Sequence, residues 1–282
     1  MSAKLLATPA LARERISIGF AFGSHHSSHD VGNLRRAISS FKPHLLIVED
    51  GFCPESRRLY LSTVFQKFIQ SIRNNISENG RIDAVRAWLL KSYSEHPHGN
   101  FLVEEIITLA QVPNLLVHVI EGHTERGLGF LANGKQEYST YHSQFIQYVE
   151  SGDIERSLFF YEAFIRTFTV SEIAYRNKIV VRNFLKLPDE ISELFPHLCN
   201  EPHVKVLVYY GAAHRNLAVF VKNEDYECSD CSDRSVPLDS RQNDETELLV
   251  RLEHSLDYSI PEFELIAAMR ANCRSAGKSI TF

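Results

Sequence analysis

The chain predicts an α/β fold: a mixed, largely parallel central sheet flanked by helices, with a substantial helical insertion. Three observations support this. Short apolar runs rich in valine and isoleucine recur at about 16–22, 44–49, 115–121 and 204–210. Such unbroken runs belong to strands buried on both faces, as parallel strands are. Stretches with helical spacing of apolar residues separate them. And each run stops at a turn carrying histidine or glutamate: Gly23-Ser24-His25-His26, Glu49-Asp50-Gly51, Glu121-Gly122-His123 and Gly211-Ala212-Ala213-His214. In parallel sheets ligands bind beyond the carboxyl ends of the strands, so these turns are where a site is expected.

Taken in order, Ile16–Phe22 is the first strand, and Asp30 can cap a helix whose face is Val31, Leu34, Ala37, Ile38 and Phe41. Pro43 ends that helix before the second strand. Helical segments then cover about 54–111, opening at Pro54, with a Leu59, Tyr60, Val64, Phe65, Phe68, Ile69 and Ile72 stripe expected to face the core and two further helices at 82–93 and 101–111. The third strand follows, and a second helical segment spans about 137–194. After the fourth strand, residues 222–245 are polar and acidic and read as a loop, and two terminal helices occupy 245–275. The whole is expected to be one α/β domain over 1–282.

Composition narrows the function. A formal charge of -5 and a pI near 6.2, with no cluster of Lys and Arg, argue against a nucleic-acid partner. No stretch of 18 apolar residues predicts a membrane span, and the amino terminus lacks the apolar core of a signal peptide. Five scattered cysteines suit a reducing compartment, so a cytoplasmic location is the default. The Cys228–Cys231 pair is a lone Cys-x-x-Cys, weak as a zinc or redox signal. A dinucleotide fingerprint and the Gly-x-Ser-x-Gly elbow are both absent.

The strand-end residues suggest chemistry directly. Glycine permits a sharp turn just past a strand and frees the residue three later to point back over the sheet edge. Two such histidines, His26 and His214, with the carboxylate of Glu49 form a His/Glu/His set. It suits a divalent ion (Mn, Co or Zn) or an acid–base pair acting on water. Glu121 is a second candidate acid, and His25 and His123 are candidates for substrate contact. Taken singly, each has a plainer alternative: a helix cap for Glu49, an ordinary polar loop residue for Glu121 and His123. Histidines 96, 98, 142, 197 and 203 lie in contexts where histidine is most often a surface residue.

Together these motifs resemble the superfamily that joins Tiki and TraB proteins, the haem-associated ChaN proteins and the erythromycin esterases. The first Gly-x-x-His, a strand-two Glu49 followed by Arg57 or Arg58, a helical Arg176-Asn177 pair and the closing Gly211-x-x-His214 occur in the family's order over residues 16–221. Ser24 stands where Tiki and TraB proteins usually carry Thr. The resemblance implies a hydrolase, esterase or metallopeptidase-like, acting on a small-molecule or peptide substrate. Arg176 would orient Glu49 or hold a developing oxyanion, and Arg57 and Asn177 would contact substrate. It equally implies a haem- or metal-binding protein without turnover, with Tyr209 and Tyr210 as further haem ligands. A third possibility is a vestigial site on a partner-binding scaffold.

Overall fold

The computed structural model describes residues 11–23, 28–49, 53–79, 82–95, 99–211, 214, 217–222 and 226–230. By contact they form two compact units, one running to Gly122 and resuming at Val180, the other being His123–Ile179.

The first unit is the α/β sheet. Its strands are β1 (Ile16–Gly23), β2 (Leu45–Val48), β3 (Leu116–Val119), β4 (Val204–Gly211) and β5 (Glu227–Asp230). They lie in the order β3-β2-β4-β1-β5, and every described pairing is parallel. Side-chain alternation sends the two faces of β1 to β4 into separate cores. Ile18, Phe20, Ile47, Val206, Val208 and Tyr210 pack with Val180, Phe184, Leu187 and Ile191 of α7 (Arg176–Phe184) and α8 (Leu187–Leu194). Ala21, Leu46, Val117, Leu207 and Tyr209 face α1 (Ser28–Phe41), α2 (Arg58–Asn79), α3 (Ile82–Ser92) and α4 (Gly99–Gln111). Burial on both sides explains the absence of polar alternation in these runs.

The fourth strand inserts between the first two. β2 connects outward to β3, while β4 connects the opposite way, past β1, to β5. Adjacent strands whose connections diverge leave a crevice at their carboxyl ends, the switch point of an open parallel sheet. Here that point lies between β2 and β4, where Glu49 and His214 are.

Strand β3 is an edge, and α2 covers it. The N–H of Val117 donates to Gln66 Oε1 at 2.7 Å and the N–H of Val119 to Ser62 Oγ at 3.0 Å. Ser62 and Gln66 are four apart and so share one helix face. They satisfy backbone donors that an edge strand otherwise exposes.

In the second unit, Thr124 caps α5 (Glu125–Ser151) by accepting from the N–H of Gly127 at 3.2 Å. This helix starts twelve residues before the expected insertion at 137. The glycines at 127, 129 and 134 lower helix propensity by about 1 kcal/mol each, which masks the signal. Two of them have a packing role. A Cβ at Gly127 would collide with the Tyr175 hydroxyl, and one at Gly134 with Ser171. Both partners lie in a π-helical turn, Thr169–Tyr175, between α6 (Ile154–Phe168) and α7. Helix α5 turns into α6 through Gly152, whose φ of 76° is the left-handed conformation of a helix C-cap.

The stretch expected to be a loop over 222–245 contains β5, which pairs with β1 from Ser17 to Phe20. It is four residues long and carries two acids, so its pairing with β1, not its composition, makes it a strand. The terminal helices expected over 245–275 lie outside the described residues. No helix among the described residues is long and apolar enough to cross a membrane.

Replacing Ser62, fully buried, with Ala should strand the Val119 N–H and cost about 1–3 kcal/mol. Gln66→Ala should cost less, because Gln66 is half-buried and water can reach its place. Urea unfolding of both variants checks the order; equal losses would show that the edge is not held as described.

Candidate functional site

Register brings the glycines at the ends of β1 and β4 side by side. β1 and β4 pair over eight residues, ending with Gly23 opposite Gly211. The glycines that open the two Gly-x-x-His units therefore stand at the same level. His25 and His26 lie outside the described residues, whereas His214 is described and buried at 4% exposure. β2 ends at Val48, opposite Tyr209 of β4, so Glu49 emerges beside the start of the second turn.

Glu49 is held in two directions. Its Oε2 accepts the N–H of Gly211 at 2.7 Å, and its Oε1 stands 3.5 Å from His214 Nε2. The carboxylate is one-fifth exposed and the imidazole nearly closed off. The Tyr210 ring meets His214 edge-on, with centroids 5.6 Å apart, and fixes the imidazole plane. A carboxylate oxygen fixed by a backbone amide, with its twin turned to an imidazole, is an arrangement able to exchange protons with a group placed beside it.

The other predicted residues are distributed differently. Glu121 is fully buried just past β3. His123, Arg176 and Asn177 belong to the second unit. His123 is buried and stacks on Tyr175 at 5.7 Å. Arg176 is buried, as an arginine on an inward stripe should be, and lies 3.6 Å from Glu172 one turn earlier. Asn177 is buried at 1%. Within that unit Tyr138 also donates to Glu172 at 3.4 Å, and burial pushes its hydroxyl up to about 12. Arg57 is exposed; its neighbour Arg58 is the buried arginine. The tyrosines offered to haem are both core residues on opposite faces of β4. Tyr209 donates to Glu105 at 2.7 Å, and Tyr210 is fully buried.

One polar cluster has no motif in the sequence. Arg58 of α2 binds Glu190 of α8 through both Nη atoms, the Nη1 contact being 2.6 Å. His118, in the middle of β3, reaches Glu190 Oε2 through Nε2 at 3.0 Å and Ser62 Oγ through Nδ1 at 3.0 Å. The carboxylate only accepts, so Nε2 carries the proton and Nδ1 accepts from the Ser62 hydroxyl. That hydroxyl also has the Arg58 carbonyl at 3.0 Å as a second acceptor. Arg58 runs under the strand-three turn, where a Cβ on Gly122 would lie 2.8 Å from its Cδ. A histidine inside an apolar strand run was the available signal. Its partners come from two helices, 56 and 72 residues away in sequence, so no local motif links them.

Among the described residues no three His, Cys, Asp or Glu side chains gather as a metal-holding group. No family model, curated protein or solved structure matches the chain.

The buried cluster should make stability depend on pH. Burial is the largest influence on His118 and lowers its pKa, so the folded state keeps it neutral. The unfolded chain protonates this histidine below about pH 6.5, so acidification through that range favours unfolding. Burial alone would raise the pKa of Glu190, but hydrogen bonds from Arg58 and His118, with the Arg58 charge, pull it down. Its stabilisation is present above the ordinary carboxylate range, about 4.3, and is lost as pH falls through the lowered value. Denaturant unfolding between pH 8 and 4 should show stability falling below about 6.5. His118→Gln should remove that first decline; an unchanged slope would sink the assignment.

Proposed function

We propose that this chain is a hydrolase of ester or amide bonds that works from the carboxyl ends of β2 and β4. Glu49 and His214 are its acid–base pair. The observation that carries this is the orientation of Glu49 at the switch point, with one oxygen on the Gly211 amide and the other turned to His214. Their 3.5 Å separation is long for a good hydrogen bond and accommodates a third group between them. Two ligands about 2.0–2.1 Å from a tetrahedral ion stand roughly 3.3–3.4 Å apart, so donor types and spacing fit a divalent ion. Mn, Co and Zn are the candidates, with His26 as the expected third ligand. Such an ion would lower the pKa of a bound water towards about 7.

Acting on water directly, with no ion between them, the two side chains have defined roles. Glu49 takes a proton from the attacking water as its oxygen adds to the substrate carbonyl carbon. The bond from that carbon to the leaving oxygen or nitrogen breaks. His214, in its protonated form, delivers a proton to the leaving atom, and Glu49 returns the one it took to the pair. Tyr210 keeps the imidazole in plane during both transfers. The order of the four short motifs, like that of the Tiki, TraB, ChaN and erythromycin esterase group, supports the same assignment.

The test is a panel of carboxylic esters and peptides offered to the full-length protein, with metal analysis of the same preparation. Glu49→Gln should lower the rate by about two to four orders of magnitude while leaving the circular dichroism spectrum unchanged. His214→Ala should do the same. Full activity in Glu49→Gln, or a wild type that neither hydrolyses any panel member nor retains metal, would overturn the proposal. A haem absorbance lost in His214→Ala, without turnover, would move the site to the binding alternative.

A further inference from the structure

The helical hairpin of α5 and α6 carries an apolar face that the described residues leave open. The two helices meet through rings: Phe145 with Tyr161 at 5.2 Å, Tyr148 with Phe160 at 5.3 Å, and His142 with Phe164 at 5.1 Å. Ile146 and Val149 each follow a seam residue of α5 by one position, and Leu158 follows the buried Ser157 of α6 by one. One position is a 100° turn, and antiparallel helices reverse its sense, so these three residues share one side of the hairpin. Ile146 is 40% exposed, Val149 52% and Leu158 39%. The exposed acids Glu150 and Glu155 rim the same side, next to Val149 and one turn before Leu158. Arg156 is engaged elsewhere, 3.5 Å from Asp153 and over the Tyr148 ring, so it does not neutralise that rim.

The chain contains a segment of matching pattern. In residues 263–278, outside the described residues, helical spacing places Leu265, Ile266 and Met269 on one stripe. It places Arg270, Arg274 and Lys278 on an adjacent one. An apolar stripe flanked by cations fits an apolar face flanked by carboxylates, and a tethered segment acts at an effective concentration in the millimolar range.

We infer that residues 263–278 dock in cis on the Ile146–Val149–Leu158 face of the hairpin, with their arginines towards Glu150 and Glu155. The contact is independent of the hydrolytic site and stands or falls separately from it.

Hydrogen–deuterium exchange on the full chain tests it. Ile266→Asp should raise exchange over residues 143–161 by at least about tenfold and leave the β4 peptide, 204–211, unchanged. Reversing one side, Glu150→Lys with Glu155→Lys, should loosen the same peptide. Adding Arg270→Glu and Arg274→Glu should restore protection. Unchanged exchange in both single-side variants, or failure of the double reversal to restore it, would overturn the inference. Protection that rises with protein concentration, together with a dimer in sedimentation, would overturn it in favour of a second copy on this face.

Discussion

The insertion of β4 between β1 and β2 is the constraint on which the sheet depends. It places the longest in-register parallel pairing, Ile16–Gly23 against Val204–Gly211, at the centre, with both faces under helices. It also sends the connections leaving β2 and β4 in opposite directions, so a crevice at their carboxyl ends needs no further device to open. Glu49 can reach the Gly211 amide only because those strands are neighbours. The acid and the histidine come from positions 165 residues apart and are joined by this one topological choice.

A parallel sheet that ends in a short edge strand needs its edge closed. Helix α2 closes it with a row of residues four apart: Arg58, Ser62 and Gln66. Gln66 and Ser62 satisfy the backbone of β3, and Ser62 and Arg58 enter the network with His118 and Glu190. Leaving either Arg58 or Glu190 without the other would isolate a buried charge, at a cost of about 3–5 kcal/mol. The same arginine lies against Gly122, so the support of β3 extends to the turn that carries Glu121. Edge protection and the shape of the sheet's carboxyl rim are thus one structure.

The second unit follows a different logic. Its helices are held by rings and by small residues at close approaches, Gly127 under Tyr175 and Gly134 under Ser171. The π-helical turn that presents those partners lies just before Arg176 and Asn177. Extra-residue turns of this kind shift the helix face by one position and often accompany functional residues. Here the shift accompanies the burial of Glu172 and of Arg176 on one polar cluster with Tyr138.

Much of this was legible without coordinates. The four apolar runs became β1 to β4 within one or two residues, since burial on both faces demands continuous Val, Ile, Leu and Phe. Glu49 was legible because a polar residue directly after such a run has only the sheet edge to occupy, and His214 because it stands three residues past a strand-end glycine. What the sequence could not determine was adjacency. β5 became a strand by pairing with β1, α5 began early because a tertiary contact offsets its glycines, and Arg58, not Arg57, turned inward. The Ser62–His118–Glu190 chain is the clearest instance. Each member is unremarkable in its own segment, and only the packing of α2 and α8 around β3 makes them neighbours. Local pattern determines which residues avoid water; the order of the strands decides which of them meet.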